Sequence, residues 1–293
     1  MSDQIWRSLA AAGSALVLGA VTATPAGADS VRDRQWHLGA LDIVAAHKVS
    51  KGAGVVIGLV DTGVQADHRD LAGAVLAGSD TYPNATGDGR NDSDGHGTEL
   101  AGLIAGRGHG GNSGILGIAP AAKILPVRAP VGTLSSAEFL AAGIDEAVAR
   151  KVGVINMSFG SNDEEVLHEA IRKAKAADIV LVGGVGNKSG SVSDEEGTDS
   201  PFPGKYPEVL TVGATDRQGR IADFSVTGPQ VDVVAPGVDL ATTGIGETGY
   251  SLVSGTSDST AIVSGVAALV RAEHPDLSAA EVVHRITATA IDA

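Results

Sequence analysis

The sequence predicts an α/β fold built on a mostly parallel sheet. Two observations carry this expectation. Short apolar runs without polar alternation, VVIGLV, KILPV, VINM and IVLVGG, read as strands buried on both faces. Segments with helical periodicity lie between them, and strand and helix alternate about six times, as parallel sheets with crossover helices require.

The elements follow in order. After a short arm, VRDRQWHL, residues 41–49 predict a helix. VVIGLVDTG is the first strand and ends in Asp61; residues 78–95, rich in Gly, Asn and Asp, are a loop. HGTELAGLIAG predicts a helix from His96, AKILPVRAP a strand, residues 135–151 a helix and VGVINMSFG a strand. Residues 164–177 are a helix, IVLVGGVGN a strand, and EVLTVGAT and VDVVAPG two further short strands. Two helices close the chain, at 257–273 and 278–290. Neither linker nor repeat interrupts residues 29–293, which are expected to form one domain.

The N-terminus reads as a targeting segment. Arg7 precedes an apolar run over 9–23, and Ala26-Gly27-Ala28 precedes Asp29. This layout predicts a signal peptide over 1–28, removed after Ala28, and hence a secreted protein. The run is short for a membrane span and is followed by Pro25.

Composition excludes several functions. The chain of 293 residues has no cysteine, so disulfides, thiolate metal sites and cysteine nucleophiles are all ruled out. A formal net charge of −14 repels nucleic acid and anionic membrane surfaces. GAGVVIG, over 52–58, has the glycines of a dinucleotide loop, but it leads into a strand instead of following one. RNDSDGHGTE, over 90–99, fails as a calcium loop because its first and last ligand positions fall on Arg90 and Ala101.

In open α/β sheets, sites form beyond the carboxyl ends of the strands. Asp61, Ser158 to Gly160 and Asn187 all end strands, so they should share one rim. SGTSDSTAIVSG, over 254–265, loads the start of an apolar helix with hydroxyls. Such residues cap helices. One of them can also attack, if a histidine lies within reach and a carboxylate orients that histidine. DTG, DGHGTELAG and GTSDSTA supply Asp61, His96 and Ser257 in that order.

These motifs, with INMSFG, GGVGN, FPGKYPEVLTVGA, VAPG and SGTSDSTAIVSGVAAL, make the sequence similar to the subtilisin family of serine peptidases from about Trp36 to Ala290. RDRQWHL and PGVDLATT resemble its actinobacterial mycosin branch, the peptidases that accompany type VII secretion. The resemblance implies a subtilisin-like fold: a mostly parallel central sheet flanked by helices on both faces. It implies a serine endopeptidase with Ser257 as nucleophile, His96 as general base and then acid, and Asp61 orienting the imidazole. Asn187 is the implied side-chain donor of the oxyanion hole, beside the Ser257 backbone N–H. Ser158, Phe159 and Gly160, with Gly184 and Gly186, are the implied walls that pair with an extended peptide or protein substrate. A monomer without organic cofactor is expected, with a possible tie to a secretion complex at the membrane. Structural calcium occurs in relatives, although no loop here demands it, and no metal site is expected. Mycosins continue past the point where this chain stops, at Ala293, into a C-terminal membrane anchor.

The same serine also suits a peptide ligase or transpeptidase. The same fold suits a weakly catalytic scaffold of a secretion system. Three positions depart from the family pattern: Asp258 replaces an apolar residue, Ala261 replaces proline, and Glu99 follows His96 by one helical turn.

Overall fold

The structure, a computed structural model, describes residues 31–110, 113–131, 136–188 and 202–291. The expected signal peptide and the acidic stretch SDEEGTDS, over 193–200, lie outside the described residues.

Two short helices, α1 (Trp36–Ala40) and α2 (Ile43–Ala46), lead into β1 (Val56–Asp61) and β2 (Ser79–Asp80). Next come α3 (His96–Ala105), β3 (Arg107–His109), β4 (Ser113–Leu116) and β5 (Lys123–Arg128). The middle of the chain alternates α4 (Ala137–Ala149), β6 (Val154–Met157), α5 (Glu165–Ala176) and β7 (Val180–Gly184). It ends with β8 (Leu210–Thr215), β9 (Val233–Pro236), β10 (Leu240–Thr243), β11 (Tyr250–Val253), α6 (Thr256–Glu273) and α7 (Ala279–Thr289).

Seven strands form one sheet in the order β2-β5-β1-β6-β7-β8-β9, and every neighbouring pair is parallel. The period of two splits each apolar run between two cores. Ile57 and Leu59 of β1 pack with α3 and α6, whereas Val60 packs with α4 and α5 on the other face. Runs buried on both sides are why these strands carry no polar alternation.

The structure departs from the expected elements in three places. The helix expected over 41–49 shrinks to α2, and the expected arm already holds α1; Asp42, left-handed with φ 48°, separates the two. The loop over 78–95 contains the two-residue edge strand β2. The chain also forms two antiparallel hairpins that periodicity did not reveal, β3–β4 and β10–β11. The second hairpin braces α3: Thr242 Oγ1 donates to the Glu99 carbonyl and Thr243 Oγ1 to the Thr98 carbonyl, both at 2.6 Å.

His37 of α1 is fully buried, and neither ring nitrogen has a partner. Burial pulls its pKa down from 6.5 to about 4. The unfolded chain therefore binds a proton that the folded chain refuses. The stability that His37 contributes is complete above about pH 6.5 and is lost as pH falls towards 4. Urea unfolding at pH 7 and pH 4.5 should show a loss of about 2–3 kcal/mol in the native protein that His37→Leu lacks.

Candidate active site

β1 ends in Asp61, which is wholly buried. Its Oδ1 accepts two hydrogen bonds, from the Thr62 backbone N–H at 2.8 Å and from His96 Nδ1 at 2.7 Å. Its Oδ2 is buried without a partner. The bond at Nδ1 fixes the His96 tautomer with Nε2 as the free acceptor.

His96 opens α3, and its approach to Asp61 depends on its neighbours. A Cβ on Gly97 would stand 2.1 Å from the Gly63 carbonyl oxygen, so only glycine lets the helix start come this close to the end of β1. Thr62 Oγ1 accepts the Gly97 N–H at 2.9 Å. Asp92 satisfies further N–H groups at this helix start: Oδ1 takes Gly95 at 3.0 Å, and Oδ2 takes the Thr98 N–H at 3.0 Å and its hydroxyl at 2.6 Å. Thr62 and Asp92 were not singled out in the sequence. An Asp just upstream of a helix was the available signal.

Ser257 is the second residue of α6. Its hydroxyl donates to the Ser158 carbonyl at 3.4 Å, a weak bond that points it towards the end of β6. No Ser257–His96 hydrogen bond is present among the described residues. Catalytic bonds of this kind are often open in unliganded sites. Ser158 Oγ in turn donates to the Ser257 carbonyl at 3.1 Å and to Asn156 Oδ1 at 3.0 Å, and Asn156 Nδ2 donates to Ser264 Oγ at 3.0 Å. This buried network ties the end of β6 to α6. The Ser158 hydroxyl is thus committed to the scaffold, which leaves its main chain for a substrate.

The hydroxyl-rich start of α6 does not cap the helix. Gly255 is the N-cap and offers no side chain. Ser259 donates to the Ala235 and Pro236 carbonyls of β9. Thr260 and Ser264 donate to carbonyls one turn back. Ser254 Oγ accepts the Asp239 N–H. Ala261 is fully buried in the core beneath α6.

The orphan N–H of Thr256 is held by Asn187 Oδ1 at 3.1 Å. With its oxygen so occupied, the Asn187 amide presents Nδ2 as a donor. Asn187 and Ser257 line a cavity of about 280 Å³ together with Thr256, Ser158, Phe159, Gly160, Gly184 and Gly186. All five residues expected to wall a substrate pocket therefore surround one cleft beside Ser257.

Asp258 lies outside this cavity. It is nearly buried, and it acts on His96 together with Glu99. Burial pulls the His96 pKa down, but the charge and hydrogen bond of Asp61, with the charges of Asp258 and Glu99, outweigh it and raise it to about 9. Burial pushes the Asp258 carboxyl up to about 7 against the pull of His96. Glu99 is raised by burial, against a hydrogen bond with Ser251 of β11. In the range where His96 titrates, Asp258 is ionised and opposes proton loss. Asp258→Asn should therefore move the acid limb of kcat/KM to lower pH, and Glu99→Gln should move it less. Each pH unit gained multiplies neutral imidazole at pH 7 by about ten.

An aspartate, a histidine and a serine on one rim of a parallel sheet, beside a cleft with an amide donor, form the constellation of a serine hydrolase. Comparison with known proteins narrows this. The subtilase family model, peptidase S8, matches residues 52–293. Subtilisin DY from Bacillus licheniformis is 35% identical over 262 residues, covering 85% of this chain and 90% of its own. Among solved structures, the MycP3 protease from the type VII (ESX-3) secretion system aligns with TM-score 0.75 at 34% identity, over 87% of this chain and 81% of that one. MycP1 from Mycobacterium smegmatis aligns with TM-score 0.74 at 31% identity, over 90% and 80%. The chain belongs to the subtilase family of serine endopeptidases.

Proposed function

We propose that the protein is an exported endopeptidase that cleaves extended peptides through an acyl-enzyme on Ser257. The observation that carries this reading is the His96–Asp61 pair, bound at 2.7 Å at the end of β1, on the same sheet rim as the cleft that Ser257 and Asn187 line. A substrate strand pairing with Ser158 to Gly160 and Gly184 to Gly186 places its carbonyl over Ser257. Its main-chain N–H takes over the Ser158 carbonyl, which frees the Ser257 hydroxyl to turn to His96 Nε2.

Ser257 Oγ then attacks the carbonyl carbon as Nε2 takes its proton. The oxyanion accepts from Asn187 Nδ2 and from the Ser257 backbone N–H, where the α6 dipole favours negative charge. His96 returns the proton to the leaving amine, and water repeats the sequence to release the acid. The named side chains handle every proton and charge in this cycle, so the reading calls on no organic cofactor. Asn187→Ala should lower kcat by about a hundred- to a thousandfold with little change in KM, as measured by steady-state peptide hydrolysis.

The signal-like segment over 1–28 supports export of a peptidase domain over 29–293. Three of the solved neighbours are MycP proteins of type VII secretion systems, which supports association with such a machine at the cell envelope. No helix among the described residues is long and apolar enough to cross a membrane.

The test is a fluorophosphonate probe on the purified protein, read by intact mass and peptide mapping. One adduct on Ser257, absent from Ser257→Ala, is expected. A folded protein that takes no adduct would overturn the reading and leave a peptide-binding scaffold. Product analysis with and without an added amine separates hydrolysis, which is expected, from transfer to amines.

A further inference from the structure

A basic cavity of this acidic protein lies away from the catalytic cleft. This concave cavity of about 780 Å³ is lined by Arg32, Lys48, Lys51 and Arg107 around an apolar floor that includes Leu38 and Val44, and no Asp or Glu lines it. It sits at the opposite end of the sheet from the catalytic rim. The Ala121 N–H donates to the Lys51 carbonyl and the Lys123 N–H to Val55, so the cavity flanks the N-terminal ends of β1 and β5. Asp61 closes the other end of β1, roughly 17 Å away along the strand.

The cavity is preformed. Gln35 and Leu116 exchange two hydrogen bonds of 2.9 Å, Arg32 donates to the Ser113 and Gly114 carbonyls, and Trp36 Nε1 donates to Val238. These bonds pin the arm to the β3–β4 hairpin and α1 to the turn between β9 and β10. His47 is likewise held, by the Ile118 carbonyl. The two lysines are not: Lys48 and Lys51 are exposed and make no ion pair among the described residues. The same stretch of chain exposes Val44 at 64% and Val49 at 68%. Cations without counterions beside uncovered aliphatic side chains call for an occupant that is both acidic and apolar.

We propose that this cavity docks an acidic segment of a partner protein, which seats an aliphatic side chain on Val44 and Leu38 and carboxylates on Lys48 and Lys51. The rest of the molecule favours a segment over an anionic bilayer. A short peptide meets only the patch within a Debye length of about 8–10 Å, whereas an extended bilayer faces a protein of net charge −14. A concave site also suits a side chain better than a flat surface. The site is separate from the catalytic cleft and does not depend on its chemistry.

The test selects from a random twelve-residue peptide library on the immobilised full chain carrying Ser257→Ala, with counter-selection on the same chain carrying Lys48→Glu and Lys51→Glu. Enriched peptides should carry Asp or Glu around Leu, Ile or Val. By fluorescence anisotropy they should bind at least roughly tenfold more weakly to the double variant, lose affinity in added salt, and lose it again in Val44→Ser. Replacing their carboxylates by lysine should restore binding to the double variant. On the otherwise native chain, both variants should keep peptidase activity and thermal stability, since all three positions are exposed. Peptides that bind native and double-variant rims alike would overturn the proposal. So would no enrichment at all, co-sedimentation with phosphatidylglycerol vesicles that needs the two lysines, or self-association that the double variant abolishes.

Discussion

Replacing Ser257 by alanine should lower kcat on a peptide substrate by about six orders of magnitude, and adding His96→Ala should cost almost nothing more. The reason is geometric. His96 Nε2 has one task at this rim, to take the Ser257 proton and return it to the leaving group. Without the hydroxyl, the base has nothing to activate, and without the base, the hydroxyl stays bonded to the Ser158 carbonyl as in the resting site. The pair therefore acts as a unit, and its removals do not add. A residual acceleration of about a thousand- to ten-thousandfold over water should survive in the double variant. It comes from the cleft and the oxyanion donors Asn187 and the residue-257 N–H, which neither substitution touches. The measurement is steady-state hydrolysis at pH 9, where His96 in the native enzyme is no longer mostly protonated. Losses that multiply, instead of saturating, would place Ser257 and His96 in separate roles.

The rim was legible in the sequence because strand ends are. VVIGLVD, VINMSF and LVGGVGN each stop at a polar or glycine break, and a parallel sheet brings such breaks to one edge. Local order also marked α3 and α6, since a histidine and a serine each stood at the start of an apolar helical pattern. What holds these groups in register was not legible. Asn156 and Ser264 meet across 108 positions, and no local period announces that pair. Thr242 and Thr243 fall in no element that the sequence predicts, because a four-residue strand with two threonines has too little apolar signal. Their hydroxyls nevertheless fix the helix that carries His96. The hydroxyls of SGTSDSTAIVSG read as caps for the same reason. Propensity describes what a residue does beside its own backbone, whereas Ser259 is taken by β9, an element that folds against it from elsewhere in the chain.

The roles of Asp61 are separable by one substitution. Asp61→Asn should lower kcat by about ten-thousandfold and, at the same time, move the acid limb of the pH profile downwards. The buried carboxylate does two things: Oδ1 orients the imidazole through Nδ1, and its charge supports the imidazolium. An asparagine is nearly the same size, so the core around it stays filled. If its oxygen remains at the Oδ1 position to satisfy the Thr62 N–H, its amide group falls where Oδ2 now lies buried without a partner, and two N–H donors go unsatisfied. If the amide turns to relieve this, an N–H faces His96 Nδ1 and forces the wrong tautomer. Either arrangement removes the charge that does most to raise the His96 pKa to about 9, so the pKa must fall. Loss of rate together with a lower limb is what an electrostatic and orienting role requires. A structural role alone would cost activity through misfolding and leave the limb of the surviving active fraction where it stands. The residual downward limit should then be set by Asp258 and Glu99, which still face the imidazole, and adding Asp258→Asn should lower the limb once more while changing the rate above it little.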